Sequence, residues 1–214
     1  MTAVTNQSAS LPELTEPERA CLALAWEAML AGASPVGAVV VDAHGAIVGA
    51  GRSAVCGLAS PGQLSASRMA HAEVNALLRL PPEERHGDLR VVTSLEPCQM
   101  CTGAIRMATV GAVTYLGADP VHGTTWVLES ARYVNHRPVS VTGPREDGVG
   151  RLAAGLAFAF VLGRHPGGEF AAAFRRLRPD LAAAGDALID AGLRDLAAGG
   201  VPWEQAGLAL LAAV

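Results

Sequence analysis

His71-Ala72-Glu73, followed after a gap by Pro97-Cys98-Gln99-Met100-Cys101, is the part of this sequence around which the rest is organised. The two stretches supply one imidazole, two thiols and one carboxylate. Imidazole and thiolate are common zinc donors. A structural zinc site closes with four protein ligands, whereas a catalytic one keeps three and leaves a position for water. His71, Cys98 and Cys101 make three. Bound zinc brings the pKa of water from about 15.7 to about 7. Glu73 has no evident structural task, and it can move a proton between such a water and a substrate.

The spacing agrees with that chemistry. Cys98 and Cys101 are three apart, which puts both sulfurs on one face of a helical turn. Pro97 fits at or just before the first turn, where a missing N–H costs little. The partial positive charge of a helix N-terminus favours thiolate over thiol. The same holds for His71 and Glu73 if they open a helix over residues 68–80 capped by Ser67. The rival readings are a redox pair or half of a structural zinc site, because C-x-x-C alone fits either. Cys21 and Cys56 are the remaining thiols that could close a structural site, but Cys21 falls in an apolar helical pattern and Cys56 in a loop. The joint pattern, with Glu two residues after His, is far more specific than either half.

The 214 residues are enough for one domain of about 150 residues with an extension. Half of them are apolar but only 4% are aromatic, so Ala, Val and Leu must build the core. A net charge of −4 argues against the broad basic footprint of a nucleic-acid binder. Four cysteines, two already assigned to metal, leave no convincing disulfide framework, which suits a reducing, cytoplasmic setting. Residues 1–14 read as a frayed leader without signal-peptide character. The longest apolar run, residues 152–163, is too short to span a bilayer, so no membrane association is expected.

Thr15 is expected to cap a helix that Gly32 ends. Residues 36–41 and 46–51 read as a hairpin across Asp42-Ala43-His44-Gly45. A Gly/Ser/Pro-rich loop over 52–66 leads into His71. Strands at 89–94, 112–117 and 139–142 alternate with a loop and helix over 96–108 and with helices at 122–133 and 148–164. The expected fold is α/β, a three-layer α/β/α arrangement with a mixed five-stranded sheet, an antiparallel opening hairpin and then parallel strands. Residues 15–164 would form this domain. Residues 165–214 are Ala-rich and read as helices near 168–177, 180–198 and 203–213. They have few large side chains, so they must bury their apolar faces on the domain or on a second subunit. Two placements are open: beside the 52–66 loop, closing the pocket over a small substrate, or as a helical decoration remote from the site.

H-x-E followed by P-C-x-x-C is the signature of the zinc nucleobase deaminases. With Pro35 to Asp42, His71 to Leu77, Ser94 to Cys101 and Asn135-His136-Arg137, the chain resembles the cytidine deaminase-like superfamily over roughly residues 15–163. It looks closest to the branch holding tRNA adenosine deaminase and guanine deaminase. The resemblance implies one Zn2+ held by His71, Cys98 and Cys101, with Glu73 as the catalytic proton shuttle. It also implies a homodimer and hydrolytic deamination of an exocyclic amine. Val36, Gly37, Ala38, Ser53, Glu96 and Pro97 would contact substrate. Ser53 stands where this branch usually has Asn, and a hydroxyl cannot offer both amide donor and acceptor. The acidic charge favours a small nucleobase, nucleoside or nucleotide over tRNA as partner. The remaining alternatives are tRNA adenosine-to-inosine editing and a catalytically silent zinc-binding subunit, although the latter has no need of Glu73.

Overall fold

Thr15 opens the first helix. In the computed structural model of the chain, which describes residues 13–56, 61–82, 86–130 and 138–214, the Thr15 hydroxyl accepts from the Glu18 amide. The Glu18 carboxylate accepts in return from the Thr15 amide at 2.8 Å. This reciprocal cap satisfies two donors that a helix start leaves free, a contribution of about 1 kcal/mol to α1 (Glu16–Leu30). The hairpin follows as β1 (Gly37–Val41) and β2 (Ile47–Arg52). In its turn the Asp42 carboxylate accepts from the amides of His44 and Ala46. Then come α2 (Ala72–Leu77), β3 (Arg90–Leu95), α3 (Gln99–Met107), β4 (Ala112–Gly117), a 3-10 turn (Thr125–Glu129), β5 (Ser140–Thr142) and α4 (Gly148–Arg164).

The strands form one mixed five-stranded sheet in the order β2-β1-β3-β4-β5. β1 is antiparallel to both β2 and β3, while β3, β4 and β5 run parallel. Every residue of β1 is buried, and its period-two alternation separates two cores. Val39 and Val41 join Leu22, Trp26, Leu116 and Leu152 beneath α1 and α4. Ala38 and Val40 join Ala72, Ala76, Ile105 and Val113 beneath α2 and α3. These are the three layers. Gly51 of β2 sets how close the α2 layer comes: a Cβ there would lie 2.5 Å from the Ala76 amide nitrogen and 2.6 Å from the Ala72 carbonyl.

Three elements differ from the sequence reading. The helix expected over 68–80 is one and a half turns long and begins after His71, which is its N-cap; Ser67 instead accepts from the Met69 amide in a preceding turn. The helix expected over 122–133 is, among the described residues, the short 3-10 turn; the amides of His122, Thr124 and Thr125 at its start donate to Asp119, Pro97 and Glu96, which fix this segment beside the site. The helix expected over 180–198 breaks at Gly192, whose φ of 84° lies in the left-handed region. Asn135-His136-Arg137 lies outside the described residues.

After α4 come α5 (Glu169–Leu177), α6 (Pro179–Asp190), α7 (Leu193–Ala198) and α8 (Trp203–Leu211). They rest on the domain of the same chain. α6 crosses α4 at small residues, with Gly155 facing Ala184 and Gly185. Leu188, Leu193, Trp203 and Leu210 share one core with Leu22 and Trp26, and the Trp26 indole donates to the Val201 carbonyl at 2.7 Å. Phe174 of α5 stacks on Phe158 of α4 with ring centroids 4.8 Å apart.

Candidate active site

The end of β3 and the start of α3 carry the two thiols. Cys98 is the N-cap of α3 and Cys101 lies in its first turn, so both sulfurs sit at the positive end of the helix. His71 occupies the corresponding N-cap of α2. These two starts converge. His71 Nδ1 lies 3.6 Å from Cys98 Sγ and 3.5 Å from Cys101 Sγ, and the two sulfurs are 3.6 Å apart. Zinc–sulfur bonds of about 2.3 Å and zinc–nitrogen bonds of about 2.0–2.1 Å in a tetrahedron separate ligand atoms by about 3.6–3.8 Å. The triangle therefore fits a zinc ion with one position left over. Among the described residues it is the one His/Cys/Asp/Glu cluster with metal-ligating geometry. Cys21 and Cys56, the candidate fourth ligands of a structural site, are not in it.

Glu73 enters from the first turn of α2. It is buried, and its Oε2 lies 3.2 Å from Cys101 Sγ. Burial pushes the Glu73 carboxyl above the usual carboxylate range, which suits a group that both takes and returns a proton. The hydrogen bond from Cys101, aided by His71, holds the Cys98 thiol well below the usual thiol range. The contact with Cys98 in turn raises His71.

These groups open into a cavity of about 560 Å³. Val36, Ser53 and Glu96 line it together with His71, Glu73 and Cys98. Gly37 and Ala38 lie deeper in β1, where Gly37 donates to the Ser94 hydroxyl and accepts from that of Thr93. Pro97 sits behind the cavity, its carbonyl accepting from the Thr124 amide. Glu96 reaches the cavity but also latches the segment after β4: one oxygen accepts from the Thr125 amide and hydroxyl, the other from the Asp119 amide. Asn75, buried in α2, holds the loop before His71, donating to the carbonyls of Arg52 and Leu64 and accepting from the Leu64 amide.

The sequence reading offered the extension as a cover for the pocket but named none of the residues of the opposite wall. Phe160 and Val161 of α4, Phe170 and Phe174 of α5, and His122 with Asp119 after β4 face the same cavity. Phe170 and Phe174 are four apart, a spacing that marks one helix face but does not tell core from pocket lining.

Residues 15–117 match the cytidine and deoxycytidylate deaminase zinc-binding region. A tRNA(Ile)-lysidine synthase of Deinococcus deserti is 32% identical over 155 residues, covering 70% of this chain and 27% of that protein. A riboflavin biosynthesis protein RibD of Mycobacterium tuberculosis is 41% identical over 96 residues, 40% of this chain and 23% of that protein. The chain thus spans about a quarter of the curated relatives it matches. A solved transfer-RNA deaminase, described as editing A to I at the wobble position, superposes with a TM-score of 0.50 at 23% identity, covering 60% of this chain and 93% of that one; this is a likeness of fold. The matched stretch contains His71, Glu73, Cys98 and Cys101, so residues 15–117 are a zinc-binding region of the cytidine and deoxycytidylate deaminase type.

Proposed function

We propose that the protein is a zinc-dependent hydrolase of cyclic-amidine C–N bonds. It would convert the exocyclic amine of a nucleobase, nucleoside or nucleotide to a carbonyl, consuming one water and releasing one ammonia. The observation that carries this reading is the fit of His71, Cys98 and Cys101 to three corners of a zinc tetrahedron with buried Glu73 beside them. The ion, when bound, supplies the Lewis acidity that makes water nucleophilic at neutral pH. Glu73 takes a proton from the attacking water and delivers it to the ring nitrogen next to the carbon under attack. It then carries the second proton to the leaving amine, so that it ends as it began. Val36 and Ser53 would contact the ring on the β-sheet side.

A small substrate is supported by the wall that α4 and α5 raise over the cavity, with Phe160 and Phe170 on it. Apolar walls with a few convergent polar groups are the usual character of small-molecule pockets. The homodimer is the expectation that the resemblance carries, and the exposed Leu78, Met107 and Trp126 are apolar side chains that a second subunit could cover. Among the described residues no helix is long and apolar enough to cross a membrane, and the cysteines are free thiols, in keeping with a cytoplasmic protein. An ammonia-release screen of the zinc-loaded protein over bases, nucleosides, nucleotides and tRNA anticodon stems tests the reading. Turnover of a small heterocycle supports it. Adenosine-to-inosine conversion confined to tRNA, with binding steeply dependent on salt, replaces it with the editing reading. No turnover with zinc bound leaves a silent subunit.

A further inference from the structure

His122 is held in the cavity from three directions. Its Nδ1 faces Asp119 Oδ2 at 3.7 Å. One face of its ring is covered by Phe170, with centroids 5.1 Å apart and planes within 11°. Its backbone amide donates to Asp119 Oδ1 at 2.9 Å. The next residue, Gly123, forms an isolated β-bridge with Cys98, and the Thr124 amide donates to the Pro97 carbonyl at 3.0 Å. The imidazole is therefore tied by backbone hydrogen bonds to the residue that holds one corner of the metal triangle. Among the described residues its second face and its Nε2 have no ring or hydrogen-bond partner, and the ring lines the cavity with its side chain 58% exposed.

An exposed imidazole with no steric need of order gains nothing from being fixed in this way unless something is to be placed against it. We propose that His122 is the ring-stacking platform of the pocket, and that the planar heterocycle lies on its open face. Phe170 backs the platform, and Asp119 sets its tilt. This rests on the deaminase reading of the site and adds to it the residue that places the ring. It also gives the extension a part in recognition, because Phe170 lies outside the matched zinc-binding region of residues 15–117. Stacking tolerates different ring substituents, since every base has a π-face. Discrimination among bases then falls to the edge contacts at Val36, Ser53 and Glu96. Phe170 and Asp119 are positioning residues that act through His122.

The test uses the zinc-loaded full chain. Turnover is followed by ammonia release, and binding by calorimetry with purine and pyrimidine bases and their nucleosides. His122→Ala is expected to weaken binding and raise KM by about ten-fold, with kcat within about two-fold, the size of a single base–aromatic stack. His122→Phe restores binding because it restores a flat ring, whereas His122→Leu, similar in bulk, does not. Asp119→Asn keeps the backbone turn and raises KM with kcat unchanged. Unchanged binding in His122→Ala overturns the proposal, and so does equal rescue by Leu and Phe. If the wild-type protein releases no ammonia, the deaminase reading fails by itself. Calorimetry still decides the platform, through binding that depends, or does not depend, on an aromatic ring at residue 122.

Discussion

Glu73 Oε2 and Cys101 Sγ lie 3.2 Å apart, although they come from the first turns of two different helices. A carboxylate this close to a thiol of the triangle sits where it can reach a water on the remaining corner without being a fourth ligand. Glu73→Gln is therefore expected to keep the fold and the metal and to lose turnover by at least 10²–10⁴-fold, about the contribution of a general acid–base group. Metal content, thermal melting and ammonia release, measured on the same preparation, check this. Near wild-type turnover removes Glu73 from the chemistry.

Removing a corner of the triangle should act on metal before fold. Cys98→Ser and His71→Ala are expected to abolish stoichiometric zinc, read by elemental analysis after gel filtration. In the wild-type protein, excess zinc should raise the melting temperature, because a ligand that binds only the folded state stabilises it by mass action. A wild-type protein whose melting is indifferent to zinc and to chelator would count against the site.

The chemistry was more legible in the sequence than the pocket was. His71, Glu73, Cys98 and Cys101 are local patterns, and helix-start geometry follows from short-range rules. Val36 and Ser53 were found on the cavity through the resemblance. The wall made by His122, Phe160 and Phe170 depends on where α4 and α5 are laid across the sheet, and that packing leaves no short-range mark. His122 was hidden for a further reason. Its segment reads as helix in sequence, but its position is fixed by partners distant in the chain, the Thr124 and Thr125 amides donating to Pro97 and Glu96.

Gly51 links the hairpin to the site. A side chain there would press on the backbone of α2 at Ala72 and Ala76, next to His71 and Glu73. Gly51→Ala is expected to cost about 1–3 kcal/mol through overpacking and to weaken zinc retention, since the α2 start must shift to make room. Denaturant unfolding and chelator competition measure the two effects. A variant of full stability would show that α2 yields without strain.

Arg145 bridges Glu18 of α1 and Asp147, the N-cap of α4. For Asp147 the guanidinium is the chief cause of a lowered pKa. For Glu18 burial pushes upward, but the Thr15 amide and Arg145 outweigh it, and the net shift is also down. Folded carboxyls below their unfolded values of about 3.9–4.3 contribute stability that is present above that range and is lost as pH falls through the lower folded values. Arg145→Ala is therefore expected to lose about 1 kcal/mol near pH 7, a modest figure because the three side chains are partly exposed. The loss should shrink as the pH falls below the unfolded carboxyl values and through the lower folded ones. Urea unfolding at pH 7 and pH 3 checks the sign, and an equal loss at both contradicts it.

The extension is expected to be inseparable from the domain. Leu188, Leu193, Trp203 and Leu210 complete the core around Leu22 and Trp26, and each such buried side chain contributes about 1.5–3 kcal/mol. Their joint loss approaches the whole stability of an ordinary domain, about 5–15 kcal/mol. Cutting the chain after Arg164 would also leave the Trp26 indole without the Val201 carbonyl and strip Phe170 and Phe174 from the cavity wall. The truncated protein is expected to lose cooperative melting and to aggregate. A second cut, after Asp190, keeps the cavity wall of α5 and the α4–α6 contact, and it removes Leu193, Trp203 and Leu210. If that variant folds, it should be destabilised yet bind ring compounds as the full chain does, because stability and recognition are carried by different helices of the extension. A chain ending at Arg164 that melts cooperatively and turns over with unchanged KM would show that the extension is needed for neither.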